Sequence, residues 1–188
     1  MTPSVTLIGL GPAGAQLLTR EAWDWLSQAG EVYLRTSLHP CAAELPETLA
    51  VHSFDALYEK HDALADVLED IAQTVLTLGR REQGVSYAVP GSPWVAEESC
   101  ARVLELAKEA GLPARVINGM SFLEPVCAAL GIDPSNQLAL IDALQLAEQN
   151  VPTFPPSCGA LIHQIGTRRD ASEIKLTLMS AYPDDYPV

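Results

Sequence analysis

The sequence predicts an α/β fold with a mostly parallel, doubly wound sheet in its first two thirds and a second, smaller α/β unit after it. Three observations predict this fold: short apolar runs that suit strands, amphipathic stretches between them that suit helices, and glycine or proline directly after the runs. Strand, turn and helix alternate in this way through residue 131, which is typical of parallel strands joined by crossover helices. The chain has 188 residues, 48% of them hydrophobic, enough for a substantial core.

The first predicted elements form a β-α-β unit. A strand covers residues 4–8, a helix follows with Thr19 as its N-cap, and a second strand covers 31–35. The stretch 62–78 then places leucine, isoleucine and valine on one helical face. Its acidic residues form the predicted solvated face: Asp62, Asp66, Glu69 and Asp70.

The elements that follow repeat the pattern. "GVSYAVPG" predicts a third strand that ends in a Pro-Gly turn, and a helix is expected over 96–110. Residues 114–118, "ARVIN", predict a fourth strand. Ser121 and Glu124 then match a capping box, which predicts the start of another helix.

A boundary is predicted near residue 133, which divides the chain into domains 1–133 and 134–188. In the second domain, 137–146 suits either a strand or a helix, 160–165 suits a strand, and a helix is expected to begin near 170–172. We expect this second domain to be a partial, truncated α/β half.

Composition and charge exclude several classes of protein. The net charge of −13, from 24 acidic and 11 basic residues, leaves no basic surface for nucleic acid. No apolar run is long enough to cross a bilayer and no basic leader precedes the first strand, so we expect a cytoplasmic protein without membrane contact. The cysteines lie far apart and predict core residues rather than a metal site: Cys41, Cys100, Cys127 and Cys158.

Residues 9–14, "GLGPAG", match the G-x-G-x-x-G pattern of dinucleotide-binding turns. Such a fold also needs an acidic residue at the end of the second strand, and this strand ends on Arg35. Arg35 suits the 2'-phosphate of NADP, so an NADP- or flavin-binding oxidoreductase stays open. Two features oppose it: the predicted cap at Thr19 lies well beyond Gly14, and Pro12 has no N–H to donate.

Longer ordered motifs resemble one family over nearly the whole chain. "VTLIGLGPAGAQLLTREAWDWLSQAGEVYLRTSLHP", "YAVPGSPWVAEES", "INGMSFLEPVCAALGI" and "HQIGTRRDASEIKLTLMSAYPDDYPV" are similar to the tetrapyrrole methylases, the class III S-adenosylmethionine methyltransferases. "SFLEPVCAALG" and "EIKLTLMSAYPDDYPV" resemble the branch found before MazG-type nucleoside triphosphate pyrophosphohydrolase domains.

The resemblance implies a methyltransferase that binds S-adenosylmethionine in a cleft between two α/β domains. The acceptor would be tetrapyrrole-like or another small molecule, and no residue is assigned a catalytic role. By the resemblance, cofactor contacts would come from a first loop, a second loop, a third loop and the second domain. These are Gly9, Gly11 and Pro12; Pro90, Gly91, Ser92 and Val95; Ser121 and Phe122; and Gln164.

The resemblance also implies partners. We expect a homodimer and a MazG-type pyrophosphohydrolase domain, either fused or in trans. The family's first loop usually reads G-x-G-P-G-D, whereas this chain has Ala13 and Gly14 at the last two positions. A non-catalytic module that binds S-adenosylmethionine or another ligand, or that dimerises, is therefore the alternative function.

Other residues invite a functional role but have simpler explanations. The histidines are not spaced as metal ligands, and we expect loop, surface or hydrogen-bonded core positions for them: His39, His52, His61 and His163. Trp23 and Trp25 cannot share a helical face, so at most one packs inward. Trp94, inside the second loop, is a candidate for lining the cofactor site.

Overall fold

The computed structural model describes residues 2–61 and 63–186. The chain forms two compact units, Met1–Val126 and Cys127–Val188, which divide inside a helix. The sequence placed its domain boundary at residue 133, in the loop after that helix. Asp62, the predicted first residue of a helix and part of its solvated face, lies outside the described residues.

The elements follow the predicted alternation. In the first unit they are β1 Val5–Gly9, α1 Arg20–Leu26, β2 Glu31–Leu34, β3 Ala50–Ser53, α2 Asp55–Lys60, α3 Leu64–Gly79, β4 Val85–Val89, α4 Glu98–Glu109 and β5 Ala114–Ile117, with short 3-10 helices at Ala15–Leu17 and Pro40–Glu44. Helix α5, Leu123–Leu130, crosses the division between the units. The second unit continues with β6 Leu138–Asp142, α6 Ala143–Ala147, β7 Gly159–His163 and α7 Arg168–Leu178.

The five strands of the first unit form one sheet in the order β3-β2-β4-β1-β5, with all neighbours parallel. The chain passes from β1 across β4 to reach β2, and from β4 back across β1 to reach β5. The winding direction therefore reverses between β1 and β4, the position where doubly wound sheets open a crevice for ligands. The predicted parallel sheet is confirmed.

Strand β3 was not predicted from the sequence. Its four residues are all exposed at the edge of the sheet, so they carry none of the apolar alternation by which a half-buried strand is recognised. The run "GVSYAVPG" is therefore the fourth strand, not the third.

Both faces of this sheet are covered, which explains why its central strands β1 and β4 are buried along their whole length. Leu7 and Tyr87 face a core formed with α3 and α4, whereas Ile8 and Ala88 face a core formed with α1. All four side chains are fully buried. The side chains of β1 and β4 therefore alternate between two cores, one on each face of the sheet.

Helix α1 begins where the sequence predicted. Thr19 is its N-cap and accepts a hydrogen bond from the Ala22 amide at 3.2 Å. The glycine loop does not lead directly into this helix, because the 3-10 turn Ala15–Leu17 intervenes. Trp25 packs partly inward and donates from Nε1 to Ser86 Oγ at 3.0 Å, while Trp23 is exposed, as expected.

In the second unit, β6 and β7 pair in parallel and α6 and α7 pack against one face of the pair. The ambiguous segment 137–146 is a strand followed by a helix, and the Asp142 carboxylate caps that helix. Helix α7 begins earlier than predicted, at Arg168, because Thr167 and Asp170 form a complete capping box.

Three of the four cysteines lie in the interior, and the fourth departs from the predicted core position. Cys41, Cys100 and Cys127 are buried, as expected, and burial raises the pKa of the Cys41 thiol to about 11. Cys158 is half-buried. Among the described residues no cluster of His, Cys, Asp or Glu is arranged to hold a metal ion. In the same part of the chain, every helix is too short or too polar to cross a bilayer.

Candidate ligand-binding site

The first and second loops meet at the carboxyl edge of the sheet, where its winding reverses. Gly11 and Gly91 form an isolated antiparallel bridge: the Gly11 amide donates to the Gly91 carbonyl at 3.1 Å, and the Gly91 amide donates back at 2.7 Å. The sequence predicted both segments as ligand loops but could not show that they bond to each other. This bridge fixes their relative position without using any side chain.

The third loop packs against the same point through glycine. A Cβ at Gly9 would lie 2.5 Å from the Gly119 nitrogen and 2.7 Å from the Gly91 carbonyl oxygen. A Cβ at Gly119 would overlap the backbone of both partners. Backbone-to-backbone packing therefore requires glycine at these positions, and Gly119 is a residue that the sequence analysis missed.

Gly91 differs from Gly9 and Gly119 because open space lies in front of its Cα. Its φ is +67°, and the nearest atom to an added Cβ would be the Met120 carbonyl oxygen, at 4.0 Å. A residue with this φ and no side chain lets a ligand approach the backbone closely. This arrangement suits a small molecule held at the loops.

Two predicted contact residues use their hydroxyl groups within the protein. Buried Ser92 accepts a hydrogen bond from the Trp94 amide at 3.3 Å. Buried Ser121 donates to the Glu124 carboxylate and accepts from the Leu123 amide, instead of the reciprocal side-chain-to-backbone bonds of the predicted capping box. We therefore expect these serines to meet a ligand through the backbone rather than through the side chain.

Asn118 connects the second and third loops and was also missed. Its Oδ1 accepts from Trp94 Nε1 at 2.9 Å, and its carbonyl accepts from the Thr19 hydroxyl at 3.1 Å. Trp94 is nevertheless 62% exposed, so much of its indole remains available beside the loops. The contact orients this ring at the edge of the candidate site.

A buried polar network ties the end of β2 to the second loop. Arg35 Nη1 pairs with Glu97 Oε2 at 2.7 Å, and the Glu97 side chain is only 2% exposed. Ser99 donates to the other Glu97 oxygen and contacts the Tyr87 hydroxyl, while Arg35 Nε donates to Tyr58. Burial opposes the charge of Arg35, but Glu97 and Tyr58 outweigh it and raise the pKa of Arg35. Arg35 is thus already paired with Glu97, and the 2'-phosphate of an NADP molecule would have to displace that carboxylate.

The histidines differ in their surroundings. His61 bonds to Asp70 at 2.7 Å and His52 stacks on Tyr33, as expected of surface positions. His39 lies in a loop, as expected, but both its ring nitrogens are shielded from solvent and neither makes a well-formed hydrogen bond within the protein. Burial lowers the pKa of His39, and the nearby Gly11 backbone offsets this only in part.

Gln164 belongs to the second unit. It follows the last residue of β7 and has a φ of +64°, so the strand ends at His163. The strand prediction over 160–165 was therefore too long at its end. The cofactor contact expected of Gln164 stays a prediction.

An open groove of about 740 Å³ lies at the opposite, amino end of the strands. Trp25 and Ser86 are in its wall, but its charged side chains already pair with each other, as Arg115 does with Glu21 and Arg20 with Asp24. The carboxyl-edge loops instead offer open backbone and an imidazole without a well-formed hydrogen bond, so they are the stronger candidate for a ligand site.

Comparisons with known proteins show which family the chain is similar to. A family model described as Tetrapyrrole (Corrin/Porphyrin) Methylases matches residues 4–188. The chain is 37% identical over 189 residues to YabN, an uncharacterized protein of Bacillus subtilis (strain 168). The match takes in 100% of this chain and 38% of YabN, so the chain spans well under half the length of this relative.

Solved structures share the fold at low identity. Uroporphyrin-III-C-methyltransferase from Thermus thermophilus superposes with a TM-score of 0.67 at 20% identity, covering 97% of this chain and 74% of that one. Diphthine synthase gives 0.54 at 20%, covering 74% and 54%. The Thermus thermophilus uroporphyrin-III C-methyltransferase complexed with S-adenyl homocysteine gives 0.50 at 22%, covering 74% and 55%.

The family match covers all the loops described above as well as both compact units. The sheet order and the parallel strands have the architecture shared by the solved relatives. The chain belongs to the tetrapyrrole (corrin/porphyrin) methylase family, whose members use S-adenosylmethionine as the methyl donor.

Proposed function

We propose that this protein binds S-adenosylmethionine at the three carboxyl-edge loops and transfers its methyl group to a small-molecule acceptor. The observation that carries the proposal is the open backbone of Gly91, bridged to Gly11 at the point where the sheet reverses its winding. Family membership makes this the function to test first.

The residues of this chain would act mainly by holding the methyl donor and the acceptor in position. When bound, S-adenosylmethionine supplies an electrophilic methyl group on a positively charged sulfur. Transfer to a nucleophile is an in-line displacement, which depends on alignment and on exclusion of water more than on an acid-base pair. The Gly11–Gly91 bridge and the Arg35–Glu97 pair would hold the loops in one arrangement before the ligand arrives. The open backbone of Gly91 would permit close approach of the ligand, whereas Gly9 and Gly11 are needed for packing against Gly119 and Leu17.

The acceptor is a separate question from the cofactor. One solved relative is named for a uroporphyrin and another for diphthine, so the shared fold serves more than one kind of acceptor. We infer a small molecule, with a tetrapyrrole as one candidate class. Incubation with S-adenosylmethionine carrying a labelled methyl group, followed by a search for labelled products, would identify it.

Replacement of Gly91 by tryptophan tests the cofactor site. We expect Gly91→Trp to lower the affinity for S-adenosylmethionine at least about tenfold, because the new indole would fill the open space in front of the loops. Gly111→Trp is the matched control: Gly111 also has a positive φ and open surroundings, but it lies after α4 at the other end of the sheet. Isothermal titration of both variants is the measurement. Equal affinity in the two variants would contradict the site.

The same titration separates the proposal from the oxidoreductase alternative. Binding of NADPH in place of S-adenosylmethionine would favour the dinucleotide interpretation of "GLGPAG". The engagement of Arg35 by Glu97 and the 3-10 turn after the glycine loop both count against that outcome.

A second candidate is a ligand-binding or dimerisation module without methyltransferase activity. It is favoured by the end of the first loop, where the Ala15 amide donates to the Glu44 carboxylate at 3.2 Å, so the loop turns toward the protein itself. Association with a MazG-type pyrophosphohydrolase and formation of a homodimer belong to this proposal. Saturable binding of S-adenosylmethionine without turnover of any acceptor would support it.

A further inference from the structure

The ring nitrogens of His39 are buried beside the first loop without a well-formed hydrogen bond. His39 lies between the end of β2 and the short helix Pro40–Glu44, near the backbone of Gly11. Both Nδ1 and Nε2 are shielded from solvent, and neither makes a well-formed hydrogen bond within the protein. The Gly11 backbone is close enough to act as a weak hydrogen-bond partner that raises the pKa of the ring, against the larger opposite effect of burial. The other polar groups of this edge, such as Arg35 and Glu97, are fully engaged.

A buried polar group without a partner destabilises a folded protein, and most such groups in native structures are satisfied. A neutral imidazole has one N–H donor and one acceptor nitrogen, so the weak contact with the Gly11 backbone leaves the acceptor of His39 unused and its donor poorly satisfied. Polar groups of this kind persist where a functional requirement outweighs the loss of stability. The position beside Gly11 indicates that the missing partner is a ligand of the loops.

We propose that His39 is a ligand-contacting residue whose ring nitrogens hydrogen-bond to S-adenosylmethionine when it occupies the first loop. The inference rests on the function proposed above, and it adds a residue that neither the glycine motifs nor the spacing of histidines indicated. Burial keeps the pKa of His39 below its ordinary value, so the ring is neutral near pH 7 and can both donate and accept. Hydroxyl and amino groups of an adenosine-type ligand suit such a ring.

The test compares His39→Phe, His39→Gln and the control His52→Phe. Each is titrated with S-adenosylhomocysteine, and its thermal unfolding is followed without ligand. We expect His39→Phe to weaken binding roughly 5- to 30-fold, as the loss of one or two hydrogen bonds requires. The melting temperature of the unliganded variant should rise by about 2–6 °C, because an unsatisfied polar group is replaced by an apolar ring. His39→Gln should recover part of the affinity, and His52→Phe should bind like the unchanged protein.

The possible results separate a ligand contact from a structural role. A parallel fall in affinity and melting temperature in His39→Phe would overturn the inference, because it would assign His39 a packing role. Unchanged affinity in His39→Phe would overturn it too, while binding by the unchanged protein would leave the proposed function standing. Absence of binding by the unchanged protein would overturn the proposed function first and this inference with it.

Discussion

Gly119→Ala is expected to lower the free energy of unfolding by about 3 kcal/mol, since an added methyl group would collide with packed backbone. The Cβ would overlap the Gly91 carbonyl and lie 2.7 Å from Gly9 Cα. Neither partner is the end of a flexible side chain, so the loops themselves would have to move apart. The φ of Gly119 is outside the left-handed region, so the effect would come from space alone. Urea unfolding measures it.

Gly30→Ala is the control for this prediction. Nothing lies within 4 Å of a Cβ at Gly30, and its φ is also outside the left-handed region. We expect a change within about 0.5 kcal/mol, slightly stabilising because alanine restricts the unfolded chain. An equally small effect for Gly119→Ala would contradict the close packing of the three loops.

Arg35→Met is expected to lower the free energy of unfolding by about 3–5 kcal/mol, because it leaves a buried carboxylate without its cation. Glu97 would retain the Ser99 hydrogen bond, but its side chain is only 2% exposed and water could not replace Arg35. Because Glu97 lies in the segment that follows the second loop, we also expect the variant to bind S-adenosylmethionine less tightly.

A double-mutant cycle with Glu97→Gln isolates this pair. The double variant should be more stable than the sum of the single changes predicts, since neither partner then leaves an unpaired charge. Arg20→Met is the surface control, because the Arg20 side chain is 87% exposed in its pair with Asp24 and the change should cost less than about 1 kcal/mol. Additive single changes at Arg35 and Glu97 would show that the pair is not coupled.

The sequence predicted most of the first unit because its signals are local. Continuous apolar runs identified β1 and β4, and Thr19 marked the start of α1 with the hydrogen bond that was expected. Strand β3 was not predicted because its residues are exposed and polar or apolar without alternation. Its pairing with β2 is visible only in the folded sheet. Helix α7 begins at Arg168, before the predicted start near 170–172, because Thr167 and Asp170 form its capping box.

The candidate site was only partly predictable. The glycine and proline motifs indicated the loops that the structure brings together, but not the bridge between Gly11 and Gly91. Nothing local distinguishes Glu97 or His39 within the quoted motifs, because the pairing of Glu97 with Arg35 and the burial of the His39 ring nitrogens depend on the folded chain. Gly119 is the exception, since a glycine just after a predicted strand could have been taken as a sign of close backbone packing.

Hydrogen exchange with and without S-adenosylhomocysteine tests the central claim most directly, because it locates the bound ligand on the chain. We expect slower exchange at amides of residues 9–11, 91–95 and 118–122, with no change at the groove residues 28–31 and 83–86 at the amino end of the strands. Protection confined to residues 28–31 and 83–86, or none in the three loops at saturating ligand, would contradict the proposed site.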